Sequence, residues 1–439
     1  MSGQREPRLA RVLGLRDLVL YGVIVIQPVA PLSPFGALQA ETRGHAATAV
    51  LIAMGAMLLT AVSYGRMARA YPSAGSAFTY VGRELHPVLG VVTGWSMLMD
   101  YLLNPMICAV WCGQALAGVT GLPAAAWIVA FVAAFTAANL RGIEASARLN
   151  AWLAAAMGAV VAVFLAAAAR AVLAHGLPEA RALGRPFYDP ARWQGGAMLT
   201  GTSLAVLTYI GFDGISTLAE EARDPRRDIL RATVLACLLI GALATLEVWA
   251  AALVWPGGEP FPQLETAFAH VARRAGGPAL YAAVLVTLTV ANAGSGVGAQ
   301  LGAARLLYGM GEGGALPARF FAAVDARRRI PRNNVLAVGA VAAVGGLALQ
   351  ATGGYELGAH LLNFGALVAF MGVNLAAFVR GFVRDRRRTL GNFLPPLAGF
   401  AVCALLFVGL KPAAKIAGGL WLAAALAVAV WRRRGRDPR

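Results

Sequence analysis

Charge is scarce in this sequence. Of its 439 residues, 13% are charged, about half the ~25% usual in a soluble domain. That shortage excludes a disordered chain and a coiled coil, and it argues against a water-soluble enzyme. Cysteine is scarce as well. Cys108, Cys112, Cys237 and Cys403 all fall inside apolar runs, so no disulfide scaffold is encoded. Cys108 and Cys112 share a helix face, but no histidine or further cysteine stands nearby at zinc spacing, and they read as buried thiols. The glycine-rich stretch 309–314 lacks the Gly-Lys-Ser/Thr ending of a phosphate loop, which leaves an ATPase unsupported. No catalytic triad or metal cluster is present, and no cofactor or metal is expected. What is abundant is apolar: 59% of residues are hydrophobic, and the mean hydropathy is +0.65. The class that remains is an all-α polytopic membrane protein.

A helix crosses a bilayer with about 20 apolar residues. Runs of that order recur along the chain at 18–40, 44–65, 149–169, 193–219, 231–255 and 275–304. Others lie at 333–355, 357–380, 389–410 and 416–431, and the stretch 85–140 is long enough for two spans folded at 118–123. The pattern predicts twelve transmembrane helices. The first run is too long for the apolar core of a signal peptide and no Ala-x-Ala site follows it, so it is expected to stay as the first span.

The net charge of +17 raises the possibility of a nucleic-acid partner. The arginines argue otherwise, because they sit in short clusters between apolar runs with no interleaved aromatics. With the N-terminus in the cytoplasm, 29 of the 38 Lys and Arg fall on cytoplasmic segments, including 327–329, 386–388 and 432–434. This is the positive-inside pattern. It predicts cytoplasmic tails at 1–15 and 432–439 in a protein of the cytoplasmic cell membrane, with the lipid bilayer as partner and no nucleic acid.

Two spans carry helix-breaking sequence at mid-depth. In the first, Gln27-Pro28-Val29-Ala30-Pro31 is followed by Pro34; in the sixth, Tyr209-Ile210-Gly211-Phe212-Asp213-Gly214 sets two glycines around an acid. Proline lacks the N–H a helix needs and clashes with the preceding turn. Irregular backbone is tolerated in a bilayer only where it is buried or lines a cavity, and interruptions at matching places in two halves point to a transporter's substrate site. The plain alternative is a pair of kinks in an ordinary bundle.

Several stretches, in order on this frame, carry a family resemblance. They include Tyr71-Pro72-Ser73-Ala74-Gly75-Ser76-Ala77-Phe78, Gly94-Trp95 with Asp100-Tyr101, and Asn139-Leu140-Arg141-Gly142-Ile143. Further on come Tyr209–Asp213 with Glu220-Glu221-Ala222-Arg223-Asp224-Pro225, then Arg305-Leu306-Leu307-Tyr308-Gly309, and Asn363-Phe364-Gly365. Over nearly its whole length the chain resembles the amino acid–polyamine–organocation permeases. The resemblance implies a LeuT-like five-plus-five inverted repeat, at 16–174 and 193–380, with two added helices at 389–431. It also implies alternating access and secondary active transport. The coupling ion is expected to be a proton, with sodium as the alternative. Two departures stand out. Family members that carry amino acids typically have a Gly-Ser-Gly-like break in span one, whose N–H groups hold a carboxylate. Gln27-Pro28 stands there instead, and is similar to the putrescine-importer branch. Many proton-coupled members carry a lysine in span five where this chain has Met157.

A carboxylate within a span is costly and marks a candidate site. Asp213 is expected to line the solute path or to cap the second half-helix. Asp100 is expected to hold a cationic amine or to pair with a buried polar group. Main-chain carbonyls at Val25, Ile26, Gln27, Pro28, Tyr209, Gly211 and Phe212 are candidate ammonium acceptors. Tyr101 and Tyr21 are candidate aromatic contacts, because ring faces attract ammonium groups by about 0.5–2 kcal/mol. Candidates for coupling or gating are Glu220, Glu221, His360, Asn292 and Ser295. Interfacial charge is the blander reading for the two glutamates, hydrogen-bonded packing for His360, and a small-residue packing face for Asn292 and Ser295. Glu247 is read as structural. The expected activity is import of an amine-bearing molecule, a polyamine such as putrescine, with an α-amino acid permease or exchanger as the alternative. A receptor or scaffold on a transporter fold is the alternative from another class.

Overall fold

The computed structural model describes residues 13–71, 76–141, 147–174, 179–256, 259–312, 316–325 and 330–434. In chain order the helices are α1 (Leu15–Ile26), α2 (Phe35–Glu41), α3 (Ala46–Ala70), α4 (Ser76–Glu84), α5 (Pro87–Thr120) and α6 (Ala124–Arg141). They continue with α7 (Ala147–Leu173), α8 (Ala180–Gly184), α9 (Gly195–Ala205), α10 (Gly214–Thr217), α11 (Pro225–Val254) and α12 (Ala267–Glu312). The last are α13 (Ala318–Phe321), α14 (Arg332–Thr352), α15 (Gly354–Phe378), α16 (Leu390–Gly409) and α17 (Pro412–Arg434). Ten of these segments are long and apolar enough to cross a membrane. The protein is a multi-pass α-helical membrane protein. The first apolar run is not one helix: it divides into α1, of 12 residues, and α2, of 7. The last, α17, carries a shorter apolar stretch, Pro412–Ala427. The long apolar stretch 85–140 folds at Gly121, whose φ of 72° ends α5 in the left-handed conformation that glycine adopts without strain.

Successive long helices alternate direction, so the bundle has two ends. One, called here the N-terminal face, carries the start of α1 and the ends of α3 and α15. The far face carries the ends of α2 and α5 and the starts of α3 and α15. At the N-terminal face, Leu13 bridges the end of the interrupted sixth span: its N–H donates to Glu221 at 3.1 Å and its carbonyl accepts from Arg223 at 2.9 Å. The two broken spans are therefore joined by backbone before either enters the bundle.

The long helix α5 runs through the middle, against α12 on one side and α15 on the other. Its approach to α15 is backbone-close. A Cβ at Gly365 would sit 2.5 Å from the Ser96 carbonyl oxygen, so only glycine fits. Small residues at such crossings let helices gain dispersion contact where lipid supplies no hydrophobic drive. Nearby, Asn363 donates from Nδ2 to the Ser203 carbonyl at 2.8 Å, which ties α15 to the helix that precedes the second break. All four cysteines are buried.

Candidate functional site

The first break follows from Pro28. Without an N–H it leaves the Ile24 carbonyl without its helical donor. The turn that follows bonds Gln27 N–H to Val23, Ala30 N–H to Gln27 and Leu32 N–H to Val29. Among the described residues, no hydrogen bond reaches the carbonyls of Ile24, Val25 or Ile26. Three consecutive acceptors are thus left open at the end of α1. Gln27 itself sits at φ 74°, a region a side chain rarely adopts, at a cost on the order of 1–3 kcal/mol. The bundle fixes it there: Gln27 Nε2 donates to the Ala291 carbonyl on α12 at 3.2 Å. One residue on, Asn292 Nδ2 donates to Ser33 Oγ at 3.0 Å, a second tie from α12 to the first break.

The second break begins where α9 tightens into a 3₁₀ turn, Val206–Tyr209. Gly211 then takes φ 115°, and a Cβ built on it would lie 3.0 Å from Val25 Cγ1 and 3.5 Å from the Val25 carbonyl oxygen. The two breaks therefore touch, glycine against the open acceptors of α1. Asp213 stands at the N-cap position of α10, yet its side chain makes no capping hydrogen bond. The backbone N–H groups of Gly211, Asp213 and Gly214 face its carboxylate.

Four further side chains complete the centre. Asp100 and Asp213 lie within electrostatic range of one another. Tyr101 interacts with both acids and with Tyr21. The Tyr21 hydroxyl is 3.8 Å from where a Cβ on Gly214 would stand, and Tyr21 also lies in electrostatic range of Glu221. Asp100, Tyr101, Tyr21, Gly211 and Asp213 are all half-buried, and Val25 is exposed. Neither acid forms an ion pair among the described residues. Chemically the centre is a set of acceptors: two carboxylates and a row of carbonyls, bordered by two phenol rings.

Other expected site residues are placed differently. The Tyr209 ring is fully buried and its hydroxyl donates to the Val50 carbonyl on α3 at 2.9 Å. Phe212 is fully buried too, edge-on to Tyr64 at 5.6 Å and against Phe370 at 5.2 Å. Both rings hold the break in place, and the carbonyls of Tyr209, Gly211 and Phe212, expected as ammonium acceptors, already accept from the N–H groups of Phe212, Gly214 and Ile215 within the turn. Ser295 donates to Asn104 Oδ1 on α5 at 3.1 Å. Asn292 and Ser295 are thus tied to the first break and to α5, not spent on a bare small-residue face. Met157 is buried and apolar. His360 is fully buried, and neither ring nitrogen has a hydrogen-bond partner among the described residues, which departs from the packing histidine with a partner. It lies near Glu41 and Lys411 at the far face. Glu247 is fully buried with both carboxylate oxygens unpartnered among the described residues. The side chain of Glu220 lies outside the described residues.

Sequence reasoning missed two ionic clusters. At the N-terminal face, Glu84 accepts from Tyr71 Oη at 2.6 Å and pairs with Arg380 at 3.0 Å and Arg384 at 3.1 Å. Burial first, and then Glu84, push the Tyr71 phenol above its usual range. At the far face, Lys411 pairs with Glu41 at 2.8 Å and with Glu356. Burial opposes the Lys411 charge, but the two carboxylates outweigh it and raise its pKa. Two cavities also open at the far face. One of about 440 Å³ is bordered by Gln39, Arg43, His45, Arg185 and Arg192, and a neighbour of about 500 Å³ shares Gln39, Arg43 and Arg192 with it.

The family model for amino acid permeases matches residues 38–415 of the chain. The low-affinity putrescine importer PlaP of Escherichia coli is 34% identical, over 97% of this chain and 95% of that protein. An uncharacterized transporter of Mycobacterium tuberculosis is 32% identical, over 96% of this chain and 90% of that protein. The branched-chain amino acid permease BcaP of Lactococcus lactis is 26% identical, over 95% of this chain and 93% of that protein.

Proposed function

The chain belongs to the amino acid permease family and is an amine or amino acid transporter, and from that premise we propose that it imports a small diamine of putrescine's kind. The observation that carries this reading is the pair of half-buried acids, Asp100 and Asp213, which lie in electrostatic range and form no ion pair among the described residues. Two like charges in a confined site favour a ligand that brings positive charge. The open carbonyls of Ile24, Val25 and Ile26 add acceptors for ammonium hydrogens. Pro28 removes a donor that an α-carboxylate would use. The Escherichia coli relative, a putrescine importer, points the same way.

The transport cycle in this reading is alternating access around the two touching breaks. In this reading there are twelve spans: the ten membrane-length segments, of which Gly195–Ser216 carries the second break, a first span split into α1 and α2, and a last in α17. The repeats are 16–174 and 193–380. The N-terminal face is cytoplasmic, so both termini lie inside the cell membrane. A proton is the coupling ion, and with Met157 in span five, buried and without charge, an acid of the centre carries it.

Uptake into proteoliposomes tests this. Purified protein is expected to accumulate labelled putrescine under an inward proton gradient, and unlabelled leucine is expected not to compete. Uptake of leucine with no response to putrescine contradicts the diamine reading and favours the amino acid alternative. Absence of counterflow for either solute would turn the assignment towards a receptor on a transporter fold.

A further inference from the structure

Lysine is almost absent from this chain. Of its 38 Lys and Arg residues, only Lys411 and Lys415 are lysines. Arginine supplies every other permanent cation, including both charged partners of Glu84. The choice has chemical content. Arginine's planar fork suits a fixed carboxylate pair, whereas lysine's ammonium is a compact, hydrated point charge on a flexible stem. At Lys411 the chain places a primary amine where a structural clamp alone would favour arginine.

That amine is held between two carboxylates from separate elements. Glu41 ends α2, Glu356 begins α15, and Lys411 lies in the connection from α16 to α17. The three side chains are 23%, 25% and 35% exposed, so solutes reach them. One turn along α15 from Glu356 is His360, fully buried, with both ring nitrogens unpartnered among the described residues and in electrostatic range of Glu41 and Lys411. Two carboxylates and one ammonium leave one negative charge over. Arg43, two residues beyond Glu41, borders the two far-face cavities.

We propose that Glu41 and Glu356 form a second amine site at the far mouth, which binds a primary alkylammonium, and that Lys411 is a built-in occupant displaced by the substrate. The inference rests on the diamine reading above. A diammonium brings two charges where Lys411 brings one, so it neutralises the cluster that lysine leaves negative. Its arrival releases α2 from α15. Because α2 is the 7-residue half-helix that follows the first break, occupation of its end acts on the central site through one short rigid element.

Titration calorimetry of putrescine into protein in nanodiscs tests the inference with three forms. In K411Q the carboxylates lose their internal competitor, and the second putrescine site is expected to tighten by about tenfold or more. In the double variant E41Q/E356Q that site is expected to vanish while the central one stays. In the wild type the weaker component of the isotherm should be present, so that its loss in the double variant reads the site without K411Q. Identical isotherms for all three forms, each with one central site, overturn the inference and leave the function standing. No putrescine binding by any form, with leucine bound instead, overturns the diamine reading and this inference with it.

Discussion

The two ends of α15 are tied by charge with the signs exchanged. At the N-terminal face one carboxylate, Glu84, is gripped by two arginines; at the far face one ammonium, Lys411, is gripped by two carboxylates. The Glu84 side chain is fully buried, and Arg380 also lies 5.3 Å over the Tyr71 ring. Arg384 adds charge at 3.1 Å without the alignment of a hydrogen bond to the same carboxylate. The far cluster has a flexible stem, no cation–π contact among the described residues, and exposure at all three members. Similar charges therefore make a fixed anchor at one end and a releasable tie at the other.

Breaking the anchor is expected to have the largest effect on stability. Glu84→Gln strands two guanidinium groups. The loss is about 2–3 kcal/mol, below the ~3–5 of a fully buried pair because both arginines reach water. A lowered melting temperature of the detergent-purified protein checks it. At the centre, Asp213→Asn and Asp100→Asn remove charge-assisted contacts worth about 1.5–3 kcal/mol, so diamine affinity is expected to fall about 10- to 100-fold. Calorimetry reads that fall. Retained counterflow with lost uphill uptake in either variant would instead assign that acid to coupling. Gly211→Ala forces a side chain into φ 115° against Val25. A cost of about 1–3 kcal/mol is expected to slow uptake, with the effect on kcat larger than on thermal stability.

The smallest effect is expected at the releasable tie. Lys411→Gln should cost about 0.5–1 kcal/mol, as half-exposed pairs do. Its pKa is raised on folding, so the contribution is fully present below the unfolded value near 10.5 and is lost as pH climbs through the raised folded value. The melting difference between wild type and K411Q should thus be flat through neutral pH and shrink only in strong alkali. A difference that disappears near pH 7 would show that Lys411 is not the group responsible.

What was legible in the sequence was local. Pro28 and Gly211 announce the breaks because their effect on the backbone needs no partner, and the apolar runs predict twelve spans, of which ten stand as membrane-length segments and the first divides into two short helices. The ring directions of Tyr209 and Phe212 were not legible, because a broken helix has no fixed period from which to read a face. The two ionic clusters were hidden for another reason. Glu84 and Arg380 are 296 positions apart, and no spacing rule joins such residues. A fainter signal did exist at Lys411: a lysine in a chain that otherwise uses arginine. Asp100 lies on α5 and Asp213 in the second break, so only the packing of separate elements brings one acid within range of the other.

The most direct measurement is a thermal-shift comparison of the purified wild type and the Asp100→Asn and Asp213→Asn variants, with putrescine, cadaverine, lysine and leucine as ligands. A ligand at 100 times its Kd stabilises the folded state by about 2.7 kcal/mol. The account predicts a shift with the diamines and none with leucine in the wild type, and a loss of the diamine shift in both variants. A shift with leucine alone, unchanged by either substitution, would contradict it.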